Sequence, residues 1–185
     1  MHTYLWRRLD QEGHDACRFA PTSGTWSIEG AAVFDHEGAV ANLSYRLDCD
    51  RYWSSMAASV TGWVGARSID ISIERTRQGD WSVDGSTVDV LSGLEDIDLG
   101  FTPASNTNAI RRLNLREGDE TTTTAVWLDT EDWTVKPLLQ SYRRDRKDAY
   151  YYKSPLHDFR AMLLVDDFAG IKEYPGLWTA VGHGG

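Results

Sequence analysis

Apolar residues in this chain recur at every second position. Over Ser68 to Arg75, Ile69, Ile71 and Ile73 face one way and Asp70, Ser72 and Glu74 the other. Leu43, Tyr45, Leu47 and Cys49 alternate with Asn42, Ser44, Arg46 and Asp48, and Trp81 and Val83 with Ser82 and Asp84. A period of two is the signature of a half-buried strand and does not fit the 3.6-residue turn of a helix. In the late segment, Phe159, Ala161, Leu163 and Val165 share one face while Met162 and Leu164 occupy the other. That strand is expected to be covered on both sides. No long window carries helical periodicity, and only Ser105 to Leu115 fits a short helical turn.

Turn residues punctuate these segments at Asp35–Gly38, Gln78–Asp80, Asp84–Ser86, Arg116–Asp119 and Arg143–Asp148, each of which reads as a hairpin connection. Regular turns between strand-sized pieces predict an all-β, mainly antiparallel sandwich or barrel of about ten to twelve strands. No linker or repeat interrupts the 185 residues, so a single domain over 1–185 is expected. A chain of this mass folds to roughly 8,900 Å² of surface and buries about 70% of its extended area, enough for a core without staples. Gly100 to Asn108, polar and carrying Pro103, reads as a loop, and the tail from Gly182 to Gly185 as loose.

Charge excludes several functions. With 19 Lys and Arg against 28 Asp and Glu, the net charge is −9. That balance disfavours nucleic acid and a polybasic membrane anchor. No apolar run is long enough for bilayer insertion, and the first residues lack the apolar stretch of an export signal, so a cytoplasmic protein is expected. Cys17 and Cys49 both alternate with polar neighbours as small core residues do, and free thiols are expected.

Motifs for chemistry are sparse. The five histidines are scattered without metal-ligand spacing, and there is no nucleophile elbow or phosphate-binding loop. Neither a metal nor a cofactor is expected. Asp96 and Asp98 flank Ile97, so on a strand both point to one face about 7 Å apart. Two carboxylates so placed suit acid–base work on a sugar, or a polar face tied down by arginines. Arg111 and Arg112 follow the polar loop and, on a strand, face opposite sides. One is then placed for an aspartate and the other for an anionic or polar ligand. The basic run Arg143 to Lys147 reads as a solvated turn. Eight Trp and eight Tyr form the strongest compositional cue. Such residues fill a β core or line a cavity for an amphiphile, and spacing does not choose between the two.

The segment Asp96-Ile-Asp-Leu-Gly-Phe-Thr-Pro-Ala-Ser-Asn-Thr-Asn-Ala-Ile-Arg-Arg-Leu113 resembles the bacterial putative glycolipid-binding family. Gly79–Gly85, Gln140–Tyr142, Tyr150–Tyr152 and Tyr174–Trp178 fit its flanking strands, so the resemblance spans about residues 20 to 180. Asn108-Ala109 departs from the pattern, where an apolar residue and a proline are expected. The resemblance implies an open, strongly curved β-barrel with little helix, similar in shape to bacterial lipoprotein carriers and mycobacterial glycolipid carriers. It implies non-enzymatic binding of a lipid or glycolipid in an apolar barrel cavity. Burial of a roughly sixteen-carbon chain offers about 13 kcal/mol before ordering costs. Under this reading Trp26, Trp63, Trp127, Tyr142, Tyr150 and Tyr152 line the wall, and Asp98, Asn106, Arg111 and Arg112 address the polar head. The rivals are an enzyme using Asp96 and Asp98 as acid and base, and a protein-interaction barrel with a filled core. Oligomeric state is open.

Overall fold

The alternating segments join into one large curved sheet in a computed structural model that describes residues 1–184. The strands are β1 (His2–Arg8), β2 (Gly13–Thr22), β3 (Thr25–His36), β4 (Ala39–Cys49), β5 (Ser55–Val64), β6 (Arg67–Arg75), β7 (Trp81–Val83) and β8 (Ser86–Thr87). They continue with β9 (Asp96–Asp98), β10 (Glu120–Asp129), β11 (Thr134–Arg146), β12 (Ala149–Ser154), β13 (Phe159–Val165), β14 (Ile171–Tyr174) and β15 (Trp178–Gly184). A single α-helix, α1 (Ala104–Leu113), separates β9 from β10 among the described residues.

The sheet runs β8 back to β1, then β15 back to β9. Two meanders therefore meet where β1 pairs antiparallel with β15. All neighbours are antiparallel except β9, which lies parallel to β10 through the α1 crossover. The sheet does not close by a ladder. Its curvature brings the β9 end to β5, where the Ser55 amide donates to the Glu95 carbonyl (2.8 Å) and Ser55 Oγ accepts from the Ile97 amide (3.0 Å). The result is an open barrel, as the family resemblance implies.

The inward face follows the alternation. Leu43, Leu47, Ile69, Ile71 and Ile73 are buried, with Trp6, Phe19, Trp81 and Phe101 among the largest fully enclosed side chains. The accessible surface is 9124 Å², close to the scaling expectation of about 8,900 Å². Both cysteines are free and buried. No helix among the described residues is long and apolar enough to cross a membrane.

Four expectations change. Fifteen strands form among the described residues, because β7, β8, β9 and β14 have only two to four residues each, too few to show a period. The helical turn expected within Ser105 to Leu115 forms as α1, but it begins inside the polar stretch expected as a loop, and its residues from Ala104 to Ile110 are all buried. Arg116–Asp119 is thus the link from α1 to β10 and not a hairpin turn. The tail expected to be loose is part of β15, with Gly184 paired to Thr3; Gly185 lies outside the described residues.

Candidate functional site

The site follows from how α1 is fixed inside the barrel. Its N-cap is Pro103, which offers no side-chain acceptor. Thr102 Oγ1 takes that role one residue earlier and accepts from the Ala104 amide (3.1 Å). The same hydroxyl donates to Asp15, which also accepts from Tyr45 Oη (2.9 Å). Asp15 has no exposed surface, and burial raises its carboxyl from 3.8 to about 7. Tyr45 reaches Asp15 because its ring lies over Gly30, its cross-strand partner, where a Cβ would sit 2.3 Å from the ring. At the other end Asn114 takes a left-handed cap with φ 42°, its amide donating to the Ile110 carbonyl (3.1 Å).

Burying the polar helix requires partners for its side chains. Asn106 Nδ2 donates to Tyr142 Oη (3.0 Å), Tyr142 Oη donates to Gln140 Oε1 (3.4 Å), and Gln140 Nε2 donates to Asp98 Oδ2 (2.6 Å). Ser105 Oγ (3.1 Å) and the Gly100 amide (2.9 Å) complete the donors to Asp98. Every bond in this relay points toward one carboxylate. Such chains polarise one another and hold their members rigid. Burial still raises the Asp98 carboxyl above its ordinary range, against the lowering effect of its hydrogen bonds to Gly100, Gln140 and Ser105.

Asp98 faces a cavity of about 230 Å³. Gly100, Thr102 and Asn106 share its polar side, and Trp127, Leu138, Tyr152, Phe159, Tyr174 and Trp178 supply the apolar wall. Trp127 pairs with Asp98 across β10 and β9, and its ring meets His157 edge to face at 5.1 Å. Gly100, at φ 67°, makes room: a Cβ there would lie 2.5 Å from the Leu128 carbonyl oxygen and 3.0 Å from Trp127 Nε1.

Of the residues expected at a ligand, Asp98, Asn106, Trp127 and Tyr152 come together here. The others do not. Tyr142 is buried one layer behind, as a link in the relay. Trp63 is 42% exposed, because Ala58, Val60 and Val64 take the inward positions of β5 and leave it outside. Trp26 is half-buried and stacks on Trp53 at 4.6 Å. Arg111 and Tyr150 line a different cleft, at the C-terminal end of α1.

Arg112 belongs to a structural pair. Its Nε (2.6 Å) and Nη2 (2.5 Å) grip both oxygens of Asp96, which also accepts from Thr123 Oγ1 (3.1 Å). The two arginines diverge because they lie on a helix, and not because they alternate on a strand as expected. With Asp96 committed to Arg112 and Asp98 facing the cavity, the two carboxylates sit in different environments. Sequence reasoning missed Thr102, Ser154, His157, Phe159 and Trp178 of the cavity, and also Asp15. For Asp15 a signal existed: it holds the inward register of β2 with Cys17 and Phe19.

A model of the family described as "Putative glycolipid-binding" matches residues 3–180. The chain is similar to a solved structure, a DUF1089 family protein from Pseudomonas aeruginosa, at 25% identity. That match covers 89% of this chain and 91% of the other, with a TM-score of 0.76. No curated protein matches.

Proposed function

Because the chain belongs to the putative glycolipid-binding family, we propose that it binds the sugar-bearing end of an amphiphile, with one ring in the cavity above Asp98. The observation that supports this is the pairing of a carboxylate floor with aromatic walls in one cavity. A sugar ring presents hydroxyls at its edge and C–H groups on its faces. Asp98 and Asn106 suit the hydroxyls, and a carboxylate acceptor makes the stronger, charge-assisted bond. The negative faces of Trp127 and Tyr152 suit the C–H groups.

Volume limits what enters. The interior is largely occupied by α1 and its partners, and the remaining 230 Å³ is below the roughly 300–1,000 Å³ of sites for drug-sized ligands. One ring fits this scale better than a long acyl chain. The chain of the amphiphile then runs outward over the half-buried Phe159 and Leu177. This differs from a tail buried inside the barrel, which the resemblance implies.

The test is native mass spectrometry with calorimetric titration of octyl glycosides that differ in sugar. Saturable binding that falls at least tenfold in Trp127→Ala and in Asp98→Asn supports the reading, since each removes about 1.5–3 kcal/mol of contact. Absence of saturable binding by folded protein across glycosides and extracted glycolipids overturns it.

A further inference from the structure

Arg111, Arg144 and Lys147 converge on a second cleft of about 170 Å³, which Asn114, Tyr150 and Asp166 also line. Asn106 of α1 lines the first cavity and Arg111 the second, and the backbones of these two residues are about 7.5 Å apart along the helix axis. Acids outnumber bases in the chain, 28 to 19. Even so, among the described residues neither Arg111 nor Arg144 forms an ion pair with a carboxylate. Backbone carbonyls hold them in place. Arg111 Nη1 donates to Phe168 O (2.5 Å), and Arg144 donates from Nη1 to Leu115 O (2.8 Å) and from Nη2 to Lys147 O (3.0 Å). The Arg111 guanidinium also lies 4.4 Å from the ring centres of both Trp53 and Phe168. The Nε of each arginine is buried without an acceptor.

A carbonyl satisfies an N–H but leaves the positive charge unbalanced. The nearby carboxylates balance it only in part, the charge of Asp166 acting on Arg111. Asp166 is engaged in its own loop, accepting from Tyr4 Oη (2.6 Å) and from the amides of Phe168 (3.0 Å) and Gly170 (2.9 Å). Asp167 pairs with Lys147 at 2.7 Å, but the two are 86% and 72% exposed. An ion pair so hydrated contributes little and releases its lysine readily. The negative end of the α1 dipole lies here too, and Arg111 in the last turn opposes it. Arg144 and Lys147 therefore carry the charge that is free for a ligand.

The geometry points to a phosphate-binding site in this cleft, separate from the proposed sugar cavity and independent of it. Two guanidinium groups and an ammonium on one cleft suit an anion with several oxygens better than a lone carboxylate, which one arginine fork saturates. A soluble phosphate ester and a phosphorylated lipid headgroup present the same chemistry.

Side-chain N–H spectra of the full chain, titrated with inorganic phosphate against chloride at equal ionic strength, test this. The Nε–H signals of Arg111 and Arg144 should move saturably with phosphate alone. Arg144→Gln should weaken binding at least tenfold, the scale of a charge-assisted contact. Lys147→Gln, on an exposed turn where folding is not at stake, should weaken it severalfold. Flotation with vesicles of phosphatidic acid or of phosphatidylcholine separates the sources. Capture by phosphatidic acid alone, lost in Lys147→Gln, assigns a lipid headgroup, whereas no capture beside phosphate binding assigns a soluble ester. Equal shifts with chloride, or phosphate affinity unchanged in Lys147→Gln, overturn the site.

Discussion

Two polar networks pair guanidinium groups with carboxylates at similar distances, one across the outer face of the sheet and one between α1 and the inner side of β9. On the outer surface, Glu29 of β3 accepts from Arg18 (2.5 Å) and Arg46 (2.6 Å), and Arg46 also holds Asp48 (2.9 Å). On the inner side, Arg112 holds Asp96 at 2.5 Å. Side-chain exposure is 49% for Arg46 and 34% for Glu29, against 14% for Arg112 and 1% for Asp96. Solvent decides what each is worth. The outer ions lose little hydration and gain little, whereas each inner ion depends on the other to stay buried.

The largest test of this contrast is Arg112→Leu. It strands a buried carboxylate, and unfolding by urea should show a loss of about 3–5 kcal/mol. Replacing Asp96 by Leu in the same chain should restore much of that loss. Little recovery would mean that Arg112 acts mainly by packing.

Asp15 sharpens the contrast, because it is an inner carboxylate that leans on hydroxyls and not on a cation. Its folded value of about 7 exceeds its ordinary 3.8, so the folded state binds the proton more tightly. Its contribution to stability is then complete below about pH 4 and lost as pH rises to about 7, by up to about 4 kcal/mol. Thermal melts of wild type and Asp15→Asn should therefore converge differently with pH: the difference between them should change over this window and level off above it. A constant difference from pH 4 to 8 would place the ionised carboxylate in the fold.

Gly30→Ala attacks the same triad through packing alone. The new methyl meets the Tyr45 ring, and a cost of about 1–3 kcal/mol is expected in denaturant melts, with the Asp15 pH effect altered as Tyr45 is displaced. The smallest effect is expected outside. Arg46→Ala should change stability by less than about 1 kcal/mol and still less in high salt.

The apolar interior and an arginine–aspartate pair, found as Arg112 with Asp96, were legible in the sequence, and the hydrogen-bonded network around α1 was not. In β4 and β6 each inward position carries an apolar residue, so a period of two fixes both strand and face. In α1 the side chains of Ser105, Asn106, Thr107 and Asn108 are buried, and four polar residues in a row read as a loop. Thr107 Oγ1 has no partner, and the partners of Ser105, Asn106 and Asn108, namely Asp98, Tyr142 and Ser55, lie between 7 and 53 positions away. Local pattern carries no trace of such pairings. Asp98 stood out through the alternating Asp96-Ile97-Asp98 segment and Trp127 through aromatic character, and both line the cavity. Trp63 was misplaced because aromatic character alone does not say which side of a strand it occupies.

The meeting of β1 with β15 has a consequence for how the chain reaches this structure. Each meander is built from neighbours in sequence, but the seam joins residues more than 160 positions apart, as where Trp6 pairs with Ala180. Two halves that assemble locally then wait on one distant encounter, and distant encounters slow folding more than they alter stability. Joining the two ends by a short flexible peptide and opening the chain at exposed Gly93, between the two sheet edges, would turn the seam into a hairpin and leave every ladder sequential. Such a rearranged chain should fold faster to the same barrel, with the rate-limiting step moved from the seam to the seating of α1.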